Sequence, residues 1–193
     1  SMDDVERIRE DAFLVADASG AVTLGAQVVA GSSNWSTSVQ GVDEGYLEIR
    51  SLNLESGRFF SSREVRSMAK VAVLGHTVAE ELFGTASPVG ARIRLGNVPF
   101  LVIGVLEEKG ESGMGRDQDD LVLAPSTTVL YRLGDGETVH SIMASAVSED
   151  DVEGAQEQIS DVLRAQHRLS GDAEDDFVVR TQSEIVEKAS SIT

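Results

Sequence analysis

The apolar positions of this chain change period several times, and each change marks an element. Val5, Ile8 and Ala12 fall on one side of a helix predicted over Asp3–Ala12, with Asp3 or Asp4 as its cap. Residues 21–30 (AVTLGAQVVA) read as a strand weakened by Gly25. The stretch 31–38 (GSSNWSTS) is turn-rich and reads as a loop carrying the single tryptophan, Trp35, before Val39–Val42 opens another strand. Val71-Ala72-Val73-Leu74 is apolar throughout, the pattern of a strand covered on both faces. Ala91–Leu95 alternates cleanly, Gly96-Asn97 supplies a two-residue turn, and Val98–Leu106 returns. That hairpin places Pro99, which has no N–H to donate, near a strand start or facing an edge.

Two helix starts carry capping-box spacing, Ser61-x-x-Glu64 and Thr77-x-x-Glu80, in which hydroxyl and carboxylate satisfy opposite backbone N–H groups. The second helix puts Val78 and Leu82 on one face and stops at Gly84. Residues 107–120 (EEKGESGMGRDQDD) read as a long flexible loop. Leu121–Ala124 resumes the sheet, Pro125 ends it, Ser126–Leu133 forms a short helix and Val139–Val147 a strand. Asp150–Leu169 is the longest helix, with Val152, Ala155, Ile159, Val162, Leu163 and Leu169 on its buried face. A last short strand is expected at Phe177–Arg180 and a helix from Ser183 onward. Strand–helix–strand–strand units recur without a solenoid repeat. The fold class is therefore α+β, mixed sheets packed with helices, read as one domain over residues 1–193 with a small inserted or peripheral lobe.

Composition narrows the chemistry. The formal charge is −17, with 33 acids against 16 lysines and arginines, so nucleic acid and anionic lipid are poor partners for the bulk surface. Arginine far exceeds lysine, as expected of a GC-rich genome, although adaptation to high salt gives the same bias. There is no cysteine, which excludes disulfides and thiolate metal sites. The longest apolar run, Val98–Leu106, is about half of the roughly 20 residues a bilayer crossing needs. Asp3, Asp4 and Glu6 stand where a secretory leader would be basic, and Ser1-Met2 reads as the remnant of a cleaved tag.

The segments GVDEGYLEIRSLNLESGRFF, VAVLGHTVAEELFGTASPVGARIRLGNVPFLVIGVLEEKG, DDLVLAPSTTVLYRLG and DDFVVRTQSEI carry a resemblance. Their order and spacing, from about Val39 to Glu184, resemble the MacB-like periplasmic core domain of MacB/FtsX-type ABC transporter permeases. The block from Val73 to Gly84, followed by Pro88-x-Gly90 and Val102-Ile-Gly-Val105, is specific when taken together. The first 38 residues match only in general character. The resemblance implies a porter-like extracytoplasmic domain between the first two membrane helices of a permease. It implies as partners a cytoplasmic ATPase, a second permease protomer and an extracytoplasmic adaptor or substrate protein. One departure counts against a tripartite pump. The large inserted lobe of some relatives has room only at Glu107–Asp120.

Candidate chemistry is sparse. His76 follows an apolar strand and precedes a helix, but no acid is beside it in sequence; His140 and His167 have no His or Glu companion at metal-site spacing. The turn after Val73 lacks Gly-x-Gly-x-x-Gly and a Gly-Lys-Ser/Thr, so nothing would cradle phosphate, and there is no Gly-x-Ser-x-Gly nucleophile turn. Alternating acids at Asp172, Glu174 and Asp176 invite calcium but lack the central glycine and distal glutamate of an EF-hand loop. The acids at 117, 119 and 120 read as solvated caps and turns. No catalytic residue, cofactor or metal is assigned. Met114 and Arg116, in the glycine-rich loop, and Trp35 are the candidate partner contacts, because an apolar side chain in a mobile loop has little use unless it touches something. The expected function is non-enzymatic: an extracytoplasmic permease domain that transmits motion mechanically. A free-standing ligand- or protein-binding sensor module is the alternative.

Overall fold

The computed structural model describes residues 1–110, 117–134, 136, 139 and 141–181. The chain divides into two compact units, residues 19–143 and residues 1–18 with 144–193. The helices and mixed sheet agree with the α+β class read from the pattern.

The larger unit is built on a closed ring of strands. Strand β1 (Val15–Ala30) turns at Gly31-Ser32 into β2 (Ser33–Val42), antiparallel from Val22↔Gly41 to Ala30↔Ser33. Helix α2 (Tyr46–Ile49), β3 (Leu54–Gly57) and α3 (Ser62–Arg66) lead to β4 (Val71–Leu74) and α4 (His76–Phe83). The hairpin of β5 (Arg92–Leu95) and β6 (Val98–Leu106) follows, then β7 (Leu121–Pro125) and α5 (Ser126–Thr128), which continues as a π-helical turn over Val129–Leu133. The strand order is β2-β7-β4-β6-β5-β1, and the β1–β2 pairing joins the two ends. Closure leaves no open edge along that ring. It was not legible in the sequence, where separate mixed sheets were expected. Residues 33–38 form most of β2 rather than a loop, and only Gly31-Ser32 is a turn. Small polar residues can line a strand whose outer face meets solvent, and Asn34, Ser36 and Gln27 are exposed there.

β4 shows why all four of its positions are apolar. It pairs parallel with β6 and antiparallel with β7, so both sheet edges are taken. Val71 and Val73 pack outward with Phe60, Val65, Ile103 and Leu123 under α2 and α3. Ala72 and Leu74 point the other way and are fully buried, as are Val28, Val39, Ile93, Leu95 and Phe100 on the neighbouring strands. Pro99 is the second residue of β6, opposite Arg94 and ahead of the β4 pairing, where its missing N–H costs nothing. β3 runs against β6 so closely that a Cβ on Gly104 would lie 2.5 Å from the Arg58 carbonyl oxygen.

The capping predictions met opposite fates. At α3 the Ser61–Glu64 box forms, and Arg58 joins it with two 2.8 Å bonds to the Glu64 carboxylate. That pairing, with the Ser61 bonds, lowers the Glu64 pKa to about 2. At α4 the box does not form: Gly75 is the cap, and Thr77 lies inside the helix with its hydroxyl turned elsewhere. Gly84 ends α4 in the left-handed half of the map, as expected.

The smaller unit contains α1 (Met2–Asp11) and α6 (Val152–Gln166), which pack together, and the end of β8 (Ser141–Ala146). Ser1, not Asp3 or Asp4, caps α1, and Asp4 completes its capping box from the third helical position. Val5, Ile8, Ala12, Ala155 and Leu163 form the apolar contact, with Val152, Ile159 and Val162 only half-buried. The Gln158 side chain accepts the Leu14 N–H at 2.9 Å, and Val147 N–H bonds the Leu14 carbonyl. Phe177–Arg180 is not a strand. Gln156 donates to the Val179 carbonyl, and the Phe177 ring meets His167 edge-on at 5.8 Å, so this segment is held by side chains. The expected helix from Ser183 lies outside the described residues.

Candidate functional site: a clamped loop neck

Residues 107–110 and 117–120 meet in a neck that the chain fastens with its own carboxylates. Asp119 is 5% exposed and accepts N–H bonds from Lys109 (2.9 and 3.0 Å) and Gly110 (2.7 Å), closing the two segments of the neck on each other. Asp117 accepts the Asp119 N–H at 2.8 Å and the Thr77 hydroxyl at 2.7 Å, which ties the neck to the first turn of α4. Asp120 accepts the Trp35 indole N–H at 2.9 Å, and its carbonyl accepts the Thr37 hydroxyl, also at 2.9 Å. The Lys109 ammonium reaches back to the Arg50 carbonyl at 3.3 Å.

Gly75 makes this junction possible. Its N–H donates to the Leu121 carbonyl at 2.8 Å, and a Cβ there would run into the Asp119 backbone. The close approach of β4's end to β7's start therefore requires glycine. Each acid of the 117–120 cluster thus has a defined partner, where the sequence suggested solvated turns. Bonds from Trp35, Thr37 and Thr77 come from residues 40 to 85 positions away, a link no local pattern contains.

Trp35 stands on β2 opposite Val28, half-buried, and is anchored to the neck rather than carried by a loop. Met114 and Arg116 lie beyond the neck, outside the described residues, so Trp35 is the member of the predicted contact set whose geometry is seen. The chain brings an acid to His76 that the sequence did not suggest. Glu55 on β3 places Oε2 3.3 Å from Nδ1, and the pair lines an open groove of about 370 Å³ with Glu80, Ser56 and Thr85.

His140 lies outside the described residues. His167 is not a free surface histidine. Its ring bonds Asp176 at 2.7 Å and meets Asp4 at 3.4 Å, and the Asp176 bond followed by Asp4 raises its pKa against the opposing effect of burial. Asp176 is therefore committed to an ion pair and Asp175 to Arg164, which dissolves the alternating-acid pattern at 172–176. Among the described residues, no three histidines or carboxylates converge as a metal site would require. No described helix is long and apolar enough to cross a membrane.

Residues 1–162 match the family described as MacB-like periplasmic core domain. The macrolide export ATP-binding/permease protein MacB of Chlorobium luteolum is 40% identical over 190 residues, covering 98% of this chain and 28% of that protein. The protein of the same name from Syntrophobacter fumaroxidans is 42% identical over 146 residues, 75% of this chain and 20% of that protein. The chain thus spans under a third of the length of these relatives. Among solved structures, the periplasmic region of MacB from Actinobacillus actinomycetemcomitans superposes with a TM-score of 0.84 at 20% identity, over 100% of this chain and 83% of the other. The extracellular domain of the ABC-type transporter YknZ from Gram-positive bacteria gives 0.74 at 20% identity, over 87% and 84%. The chain belongs to the MacB-like periplasmic core domain family, and is an extracytoplasmic domain of a membrane transporter.

Proposed function

We propose that this domain is the extracytoplasmic part of an ABC export permease and acts without chemistry of its own. Its relatives are named as macrolide export ATP-binding/permease proteins, and the chain spans under a third of their length. ATP hydrolysis and membrane crossing are thereby assigned to other parts of the protein or its partners, including a second permease protomer. The domain converts motion of membrane helices into altered access for substrate, adaptor or partner protein. The observation that carries this reading is the closed ring of strands, with β4 buried on both faces, because a densely packed body is suited to moving as a unit.

Residues 110–116, including Met114 and Arg116, are the contact element for the second protomer, an adaptor or the substrate. The neck supports this reading because the residues on either side of that segment are fastened to α4 and β2 through Thr77 and Trp35. Deleting Gly110–Arg116 in the full transporter is expected to impair export while the barrel stays folded; undiminished export would overturn the contact role.

The mechanical role has its own test. The chain has no cysteine, so a cysteine pair at Ser87 and Asn97 accepts spin labels without background from this domain. In the full transporter, the distance between these barrel-unit labels should stay constant between nucleotide-free and ATP-trapped states. A change of several ångströms would mean that the barrel itself deforms.

A further inference from the structure

Charge is distributed very unevenly over the barrel unit. Ala18–Val42, which supplies most of β1 and all of β2, contains no Asp, Glu, Lys or Arg, in a chain where a quarter of residues are charged. Leu82–Leu106 contains only two charges, Arg92 and Arg94, both positive. The strand ring then places these two segments side by side, since β5 pairs with β1 on one edge and β6 on the other.

Register shows which side chains share the outer wall. Arg92 is directly opposite Leu101, and Arg94 is opposite both Pro99 and Val29. Directly opposed residues of antiparallel strands project to the same side. Arg92, Arg94 and Pro99 are exposed, and Leu101 keeps 42% of its surface in water. The alternate residues Ile93, Leu95 and Phe100 are buried inside. The two guanidinium stems leave the same strand about 7 Å apart. Neither makes an ion pair among the described residues, whereas Arg58 and Arg164 are paired with carboxylates. Lys70 adds a third exposed base at the same end, where its carbonyl accepts the Leu101 N–H.

An outer wall cleared of acids and bearing unpaired arginines beside exposed Leu101 and Pro99 is a specific arrangement on a surface that elsewhere repels anions. We infer that the β1–β5–β6 wall is a docking surface for a protein partner whose contacting segment carries carboxylates next to apolar side chains. Arg92 and Arg94 would each take a carboxylate, Leu101 and Pro99 the apolar contact, and the uncharged β1–β2 wall admits the acidic partner without like-charge opposition. A second copy fits less well, because two-fold pairing of this wall on itself sets arginine against arginine. An anionic membrane fits less well, because the rest of a −17 chain would be drawn toward it at a cost.

The experiment uses this chain and a soluble synthetic peptide of repeating Glu-Leu-Glu-Ser blocks, followed by backbone amide NMR at low salt. The expected result is shift changes confined to β5, the start of β6 and the facing residues of β1. Affinity should fall at least tenfold for Arg92→Glu/Arg94→Glu, and the Lys-for-Glu peptide should leave the wall unperturbed. If the charge-reversed chain folds poorly, Arg92→Gln/Arg94→Gln gives the same readout with at least a threefold loss. Absent or scattered shifts, or shifts surviving the substitutions, overturn the proposal. So would binding to phosphatidylglycerol vesicles without binding to the peptide, or sedimentation showing that the chain dimerises through this wall.

Discussion

The barrel unit and the terminal unit draw their cohesion from different sources. In the barrel unit, strand after strand buries alternate residues completely: Val28, Val39, Leu74, Ile93, Leu95, Phe100, Val102 and Leu123 all lie at or near zero exposure. In the terminal unit, α6 buries only Ala155 and Leu163 fully, and charged side chains complete the packing. His167 gathers Asp4 and Asp176 there, and Arg164 binds the carbonyls of Ser170, Gly171 and Ala173 together with Asp175. Apolar burial is indifferent to pH and little affected by salt, whereas half-exposed ion pairs are sensitive to both. The first unit therefore suits a transmitting body, and the second depends more on its ion pairs.

Removing an interior side chain should show the barrel's dependence on packing at its greatest. Among the described residues Phe100 is the largest side chain that is fully buried, so Phe100→Ala is expected to cost about 3–5 kcal/mol in urea unfolding followed by Trp35 fluorescence. A loss below about 1 kcal/mol would mean the interior is far looser than the ring of strands implies. Gly104→Ala tests the same region by addition. Its Cβ would meet the Arg58 carbonyl oxygen at 2.5 Å, a backbone atom that cannot swing away. An expected loss of about 1–3 kcal/mol, with weakened amide protection across β3, would confirm that β3 and β6 are in contact as described.

What the sequence disclosed follows from how local each signal is. β4, the β5–β6 hairpin and the α3 capping box were legible because their determinants lie within a few residues: four successive apolar positions, a Gly-Asn turn, a Ser three residues before a Glu. The first part of β2, residues 33–38, was missed because its outward side chains are Asn and Ser, which resemble a loop when the pairing with β1 is unseen, whereas Val39–Val42 was read as strand. The Thr77 box failed because Asp117, forty positions later, takes the hydroxyl. The loop neck was invisible for the same reason: acids that look solvated are bound to Trp35, Thr37 and Thr77 from distant strands and helices. The acid-free segments drew no notice in the sequence, because their assembly into one wall depends on strand order.

Asp119 sets the apolar and polar sides of the comparison against each other within the barrel unit. It is the buried acid that closes the neck, and Asp119→Ala leaves the Lys109 and Gly110 N–H groups without their acceptor. The expected cost is about 1–3 kcal/mol, with faster amide exchange at residues 107–110 and an unaltered interior around Phe100. Uniformly faster exchange throughout the barrel would show that the neck is part of its core rather than a local clasp.

The smallest effect separates the two units by the sign of their pH response. Glu64 has a folded pKa of about 2, chiefly because Arg58 bonds its carboxylate, against an ordinary value of 4.5. Its contribution is complete above about pH 4.5 and disappears as pH falls toward 2. His167 is shifted the other way, upward from 6.5, chiefly by its bond to Asp176. Its contribution is complete below about pH 6.5 and is lost as pH rises through the raised folded value. Arg58 and Asp176 are both more than half exposed, so each effect should stay below about 1 kcal/mol and shrink in salt. Amide protection, corrected for intrinsic exchange, should therefore weaken at α3 on acidification and at the C-terminal turn of α6 on raising pH above neutrality. Glu64→Gln should abolish the first trend and His167→Gln the second. If both helices lost protection in the same direction, or either trend survived its substitution, the division between a packed barrel and a charge-tied terminal unit would fail.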